Sequence, residues 1–182
     1  MTGNNGAAPW RVLDKRVIYH SEWVGLEHWS VRLPDGQIIP DHHVVVYPHA
    51  AVGVVARDDA GRFLLIDHYR FITGTRGWEI PAGQVDSGES VAAAAARELL
   101  EETGCRADHW RPFGRYHPSN GSSNQTFHLW SAEGLRQVTD VTDANETLAC
   151  RWFTADQVRA LIRRNDIRDG FSITGLAWAL AI

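Results

Sequence analysis

Only two cysteines, Cys105 and Cys150, occur in the 182 residues, and they lack the spacing of a metal finger. A disulfide framework and a structural zinc site are thereby excluded as the basis of the fold, and each thiol is expected to pack as a small hydrophobe. Lysine and arginine together number 18 against 22 acidic residues, for a net charge of −4 without a broad basic footprint. Such a surface does not select nucleic acid, which is held mainly through its phosphates. No apolar run approaches the roughly 20 residues of a membrane span. The start, MTGNNGAAP, has neither the positive charge nor the apolar stretch of a signal or transit peptide, so the expected location is cytoplasmic, away from membranes. Internal repeats, low-complexity blocks and linkers are also missing. Residues 1–182 are therefore expected to form one domain, with 1–47 as an N-terminal β region and 48–182 as the core.

What is present includes eight tryptophans and nine histidines. Most tryptophans are expected as core anchors, and the scattered histidines as surface or satisfied groups. Even His42 and His43 would point to opposite faces of a strand. Extended segments at 10–20, 23–33 and through 42–47, with a Pro34-Asp35-Gly36 turn, predict an N-terminal antiparallel meander. Residues 51–56 and 62–69 flank Asp58-Asp59-Ala60-Gly61 and predict an apolar hairpin. A loop follows from Phe71 to Gly77, then a short strand at 78–81, with Ala82-Gly83 opening another loop. Ser87 to Ser90 supplies caps for a helix that Gly104 ends. Strands at 110–116, 126–132 and 148–153 and helices at 156–164 and 172–181 complete an α/β (α+β) pattern, a mixed sheet sandwiched between helices.

The most informative stretch is 83–105, GQVDSGESVAAAAARELLEETGC. On a helix, Glu98 and Glu102 stand four positions apart and Glu101 three from Glu98, so three carboxylates share a stripe. Like charges so spaced repel by roughly 0.2–0.5 kcal/mol per pair, which makes sense where a cation sits against them. Oxygen-only ligands on a rigid helix suit Mg²⁺ or Mn²⁺ better than zinc.

This stretch resembles the Nudix box, G-x5-E-x7-R-E-U-x-E-E-x-G-U with U a bulky apolar residue. Gly83, Glu89, Arg97-Glu98, Leu99, Glu101-Glu102 and Gly104 meet its positions, and Cys105 is a small residue in the last apolar slot. The resemblance implies metal ligation by Glu98 and Glu102, with Glu101 adding coordination or charge and the Ala82 carbonyl as a further ligand. Arg97 and Glu89 are then architectural partners, as are Gly83 and Gly104. The implied cofactor is Mg²⁺ or Mn²⁺, and Glu101 and Glu102 enter the catalytic group.

Several looser features resemble the ADP-ribose and nucleoside-diphosphate-sugar pyrophosphatase branch of that family. Trp78-Glu79-Ile80-Pro81-Ala82-Gly83 is similar to the branch's entry into the box. Asp67-His68-Tyr69-Arg70 is similar to its Q-Y-R segment, which implies that Arg70 contacts substrate phosphate. His117 to Gln125 resembles the loop that selects ADP-ribose, bringing in Ser119 and Gly121, although Asn120 replaces a proline and Gln125 stands where relatives carry Glu. An amide cannot take a proton as a carboxylate can, so the resemblance shifts the catalytic base to Glu146, with Asp143 and Glu133 as alternatives. Ser21 to Glu27 resembles a strand whose tryptophan stacks on adenine, which nominates Trp23, with Trp29 in reserve. In that branch the N-terminal strands build a homodimer.

The resulting expectation is Mg²⁺-dependent hydrolysis of the diphosphate bond of ADP-ribose or a related nucleoside diphosphate sugar, giving a nucleoside monophosphate and a sugar phosphate. The altered 120–125 loop leaves an unusual nucleotide substrate open. Alternatives are a nucleoside triphosphate or dinucleoside polyphosphate pyrophosphatase on the same box, and a non-catalytic module that senses ADP-ribose.

Overall fold

The computed structural model describes residues 9–142 and 147–181. They divide into two compact units, one of residues up to 49 with 119–125, the other of residues 50–118 with the remainder from 126.

In the first unit β1 (Arg11–His20), β2 (Gly25–Arg32) and β3 (Ile38–Val46) form an antiparallel sheet in that order. The turn between β2 and β3 uses Gly36 at φ 90°, and Asp35 Oδ1 accepts the Gln37 N–H at 2.9 Å. A left-handed turn position flanked by a side-chain acceptor is what Pro-Asp-Gly encodes. Residues 119–125 fold along β3. Val45 N–H donates to the Ser122 carbonyl at 2.8 Å, and the Asn124 amide brackets the Tyr47 backbone at 2.7 and 3.2 Å.

The second unit contains β4 (Ala51–Ala56), β5 (Phe63–Arg70), β6 (Thr75–Glu79), β7 (Ala82–Gln84), α1 (Val91–Thr103), β8 (Cys105–Tyr116), β9 (Phe127–Gln137), β10 (Thr147–Phe153), α2 (Ala155–Arg163) and α3 (Gly170–Ala181). A four-stranded mixed sheet runs β7-β4-β9-β8, with β4 and β9 parallel, and a three-stranded antiparallel sheet runs β10-β5-β6.

The expected hairpin of 51–56 with 62–69 is corrected. Its turn forms, with Gly61 N–H on the Asp58 carbonyl at 2.9 Å, yet β4 and β5 diverge into different sheets. β4 is buried nearly throughout and β5 over its apolar half, Phe63 to Ile66, and each gains most by occupying an interior position between two neighbours. Two smaller corrections concern loops. Residues 75–77 are strand, pairing with β5, and Ala82-Gly83 begins β7, which pairs with β4.

Two apolar clusters fill the unit. Val52, Val54, Ala56, Leu64, Ala94, Ala95 and Leu99 pack where α1 covers the mixed sheet. Val55, Leu65, Ile80, Leu129, Phe153, Ile167 and Leu176 form the other with α2 and α3. Burying each large aliphatic side chain contributes about 1.5–3 kcal/mol. The expectation of tryptophan core anchors is corrected: none of the eight belongs to the buried core, and Trp10 and Trp23 are 63% and 65% exposed. Trp78, Trp110, Trp130 and Trp152 sit at the core's rim, where an indole ring covers apolar neighbours with one edge outward. Cys105 is buried, whereas Cys150 is exposed, which corrects its expected packing.

Helix α1 begins where Ser90 Oγ accepts the Ala93 N–H at 3.1 Å and ends where Gly104, at φ 69°, returns its N–H to the Leu100 carbonyl at 2.8 Å. Alanines at 94 and 95 let the helix approach the sheet closely, which presses Glu98 and Glu102 inward beside β7.

Candidate metal and diphosphate site

The box carboxylates are not equivalent. Glu98 and Glu102 are buried, at 9% and 2% exposure, while Glu101 lies at the rim. Burying two carboxylates one turn apart is costly without compensating partners. The Ala82 N–H donates to Glu102 Oε2 at 2.9 Å, and Arg97 Nη1 donates to Glu98 Oε1 at 2.7 Å and to Glu101 Oε2 at 3.2 Å.

Arg97 is the hub of this arrangement. Its Nε and Nη2 meet Glu89 in a fork at 3.1 and 3.0 Å, and Nη2 also donates to the Gln84 carbonyl at 2.9 Å. One guanidinium thus ties the end of β7 to three acids of the box. The hydrogen bonds to Glu89, opposed by partial burial and reinforced by Glu98 and Glu101, hold it well above the ordinary arginine range. Gly83 fits for a steric reason: a Cβ there would run into the Glu98 carboxylate.

Arg70, at the end of β5, forks onto Glu79 of β6, with contacts of 3.1 and 2.6 Å to Oε2. Burial pushes its guanidinium down, and the Glu79 bonds, with the charges of Glu79, Asp169 and Glu102, more than offset this. Arg70 and Glu79 line a cavity of about 450 Å³ that also includes Thr75, Arg76, Arg168 and Asp169. The sequence reading missed Glu79, Arg76, Arg168 and Asp169. Register could have found the first, since Glu79 stands opposite Ile66 on a face shared with Arg70. Nothing local marks Arg168 and Asp169, which arrive through the packing of α3.

The remaining nominated residues belong to the first unit or lie elsewhere. Trp23 stands exposed in the turn between β1 and β2, where Ser21 N–H donates to the Val24 carbonyl. The reserve, Trp29, donates to Glu27 at 2.6 Å and carries Lys15 Nζ 3.9 Å over its ring. Ser119 and Gly121 lie in the segment along β3, with Ser119 Oγ 2.6 Å from Ser122 Oγ and the Gly121 carbonyl 3.2 Å from His42 Nε2. Of the candidate bases, Glu146 and Asp143 lie outside the described residues, and Glu133 pairs with Arg57 at 2.7 Å. His68 departs from the expectation of surface or satisfied histidines: it is 5% exposed, and its Nδ1 has no hydrogen-bond partner among the described residues.

Residues 47–172 match the family model described as the NUDIX domain. The chain belongs to the Nudix family. Among similar proteins, a CMP-5'-(N-acetyl-N-hydroxy-3-aminopropyl)phosphonate hydrolase of Streptomyces rubellomurinus is 34% identical over 85% of this chain and 74% of that protein. An ADP-ribose pyrophosphatase of Mycobacterium tuberculosis is 32% identical over 81% of this chain and 72% of its own length. A second, from Bacillus subtilis, is 27% identical over 87% and 86% of the two chains. The fold is shared with a crystal structure of an ADP compounds hydrolase at a TM-score of 0.84, covering 97% of this chain and 95% of the other at 20% identity.

Nudix hydrolases work with a divalent cation. Among the described residues, no three His, Cys, Asp or Glu side chains already converge as a metal cage. The donor chemistry nevertheless fits a hard cation. Two buried carboxylates and a third at the rim project from one capped helix, and the missing side chain at Gly83 gives the Glu98 carboxylate its room.

Proposed function

We propose that this Nudix hydrolase cleaves the diphosphate bond of ADP-ribose or a closely related nucleoside diphosphate compound, with Mg²⁺ as its cation. The observation that carries this reading is the pair of buried carboxylates, Glu98 and Glu102, on the box helix, with Arg70 charge-coupled to Glu102. Two relatives named as ADP-ribose pyrophosphatases support the choice of substrate.

In this reading Glu98 and Glu102, with Glu101 at the rim and the Ala82 carbonyl, hold the cation. The bound cation supplies charge neutralisation on the phosphoryl oxygens and acidifies a coordinated water. Arg97 keeps the carboxylates oriented while the site is being loaded, because its fork to Glu89 anchors the guanidinium independently of Glu98. Arg70 directs a cation at the substrate phosphates, and Glu79 fixes its plane. Glu146 is the proposed proton acceptor, Trp23 the platform for the base, and Ser119 and Gly121 belong to the loop that selects the nucleotide. A cytoplasmic homodimer assembled through the N-terminal strands completes the proposal, and sedimentation equilibrium tests its oligomeric part.

The 34% identity to a hydrolase of a CMP-linked phosphonate favours a second reading, in which the nucleoside is cytidine and the leaving group a phosphonate. A hydrolysis panel of ADP-ribose, GDP-mannose, UDP-glucose, a CMP-phosphonate ester, dGTP and diadenosine tetraphosphate, with products followed in oxygen-18 water, separates the two. Preference for ADP-ribose supports the first reading, and preference for the CMP ester supports the second. Preference for dGTP or diadenosine tetraphosphate overturns both.

A further inference from the structure

Two buried polar groups stand side by side on β5 and β10 with no hydrogen-bond partner among the described residues. His68 is 5% exposed and Thr147 6% exposed, the two are register neighbours, and neither His68 Nδ1 nor Thr147 Oγ1 makes a hydrogen bond among the described residues. A buried polar atom left unpaired costs about 1–3 kcal/mol, so two on adjacent positions call for a function that repays the loss.

Their placement says which function. Side chains two apart on a strand share a face, so His68 lies between Ile66 and Arg70 on the face that also carries Glu79 and Cys150. Cys150 Sγ sits 3.4 Å from the Glu102 carbonyl, and the Glu102 charge acts on Arg70. That face therefore looks onto the C-terminal end of the box helix, and the orphaned pair lies next to the arginine that meets phosphate in the reading above.

We propose that His68 and Thr147 form a buried two-donor seat for a phosphoryl oxygen of the substrate diphosphate. The hydroxyl can rotate to donate, and imidazole protonated at Nδ1 supplies the second donor. Together with Arg70 the seat holds the diphosphate from the side opposite the acidic helix. Both are binding residues, and no bond is made or broken on either. The inference rests on the diphosphate substrate proposed above.

The test uses Thr147→Val, which keeps shape and removes only the hydroxyl, together with His68→Leu and His68→Gln. Kd for α,β-methylene ADP-ribose with Mg²⁺ is measured by calorimetry, alongside kinetics and melting. Thr147→Val and His68→Leu are expected to weaken analogue binding and raise KM by at least about tenfold each while Tm holds or rises, since the removed groups made no internal bond. His68→Gln, which retains an N–H donor, is expected to recover most of the affinity. Wild-type-like binding and KM in Thr147→Val and His68→Leu would overturn the seat and leave a trapped water as the partner of both groups. Wild-type protein that binds the analogue without hydrolysing ADP-ribose would overturn the proposed function while the seat stands. Wild-type protein that does not bind the analogue would overturn both.

Discussion

The Ala82 N–H donates to Glu102 Oε2 at 2.9 Å, joining the strand that enters the box to the last carboxylate of its helix. These residues are 20 positions apart in sequence, and their bond fixes the position of one Glu102 carboxylate oxygen. The same strand presents the Ala82 carbonyl, so backbone and side chain are aligned by one pairing.

Glu102→Gln removes the charge and keeps an oxygen for the Ala82 N–H, so it separates metal binding from folding. The expected outcome is an unchanged melting temperature within about 3 °C and a loss of at least about 100-fold in kcat with Mg²⁺. Chelation by EDTA should abolish wild-type turnover, and added Mg²⁺ or Mn²⁺ should restore it. Wild-type turnover by the variant would remove Glu102 from the cation site.

Gly83→Ala places a methyl group against the Glu98 carboxylate, with the three nearest atoms all belonging to that side chain. The carboxylate must turn away from Arg97 to make room, at a cost of about 1–3 kcal/mol. Manganese titration followed by electron paramagnetic resonance should show an affinity weakened by about tenfold or more, with folding retained. Undiminished affinity would mean that Glu98 is not a ligand.

The box was legible in the sequence because a rigid helix converts spacing directly into geometry: Ser90, Glu98, Glu102 and Gly104 occupy the places their spacing implies. The hairpin of β4 and β5 was misread because a buried apolar strand carries no alternation to say which sheet it joins. Glu79, Arg168 and Asp169 escaped notice because they reach the cavity with Arg70 through strand register and helix docking, which have no local signature. The expectation of surface or satisfied histidines fails at His68, whose burial opposite Thr147 comes from strand register that residue type does not encode.

Glu89 provides a pH test of the Arg97 hub. Hydrogen bonds from Arg97, against some burial, hold its carboxyl below the ordinary 4.5. A depressed folded-state value means the unfolded chain takes up the proton first, so this stability is present above pH about 4.5 and is lost as pH falls through the folded-state value. Melting temperature followed from pH 6 to 3 should therefore fall more steeply below that point in wild type than in Glu89→Gln. Parallel curves for the two proteins would show that the pair contributes nothing to the acid limb.

Arg70 and Glu79 combine a structural and a binding role, and a double substitution separates them. Arg70→Met leaves Glu79, whose side chain is 6% exposed, without its counter-charge. Because Arg70 itself is 44% exposed and water screens the pair, the cost is set at about 2 kcal/mol, or roughly 4–8 °C in Tm for a chain of this length. Adding Glu79→Gln removes the stranded charge and should recover most of that stability. It returns no cation to the cavity, so KM for ADP-ribose should remain elevated by about tenfold or more in both the single and the double variant. If the double variant regained affinity along with stability, Arg70 would be a partner for Glu79 alone, and the phosphate contact would pass to Arg76 or Arg168 in the same cavity.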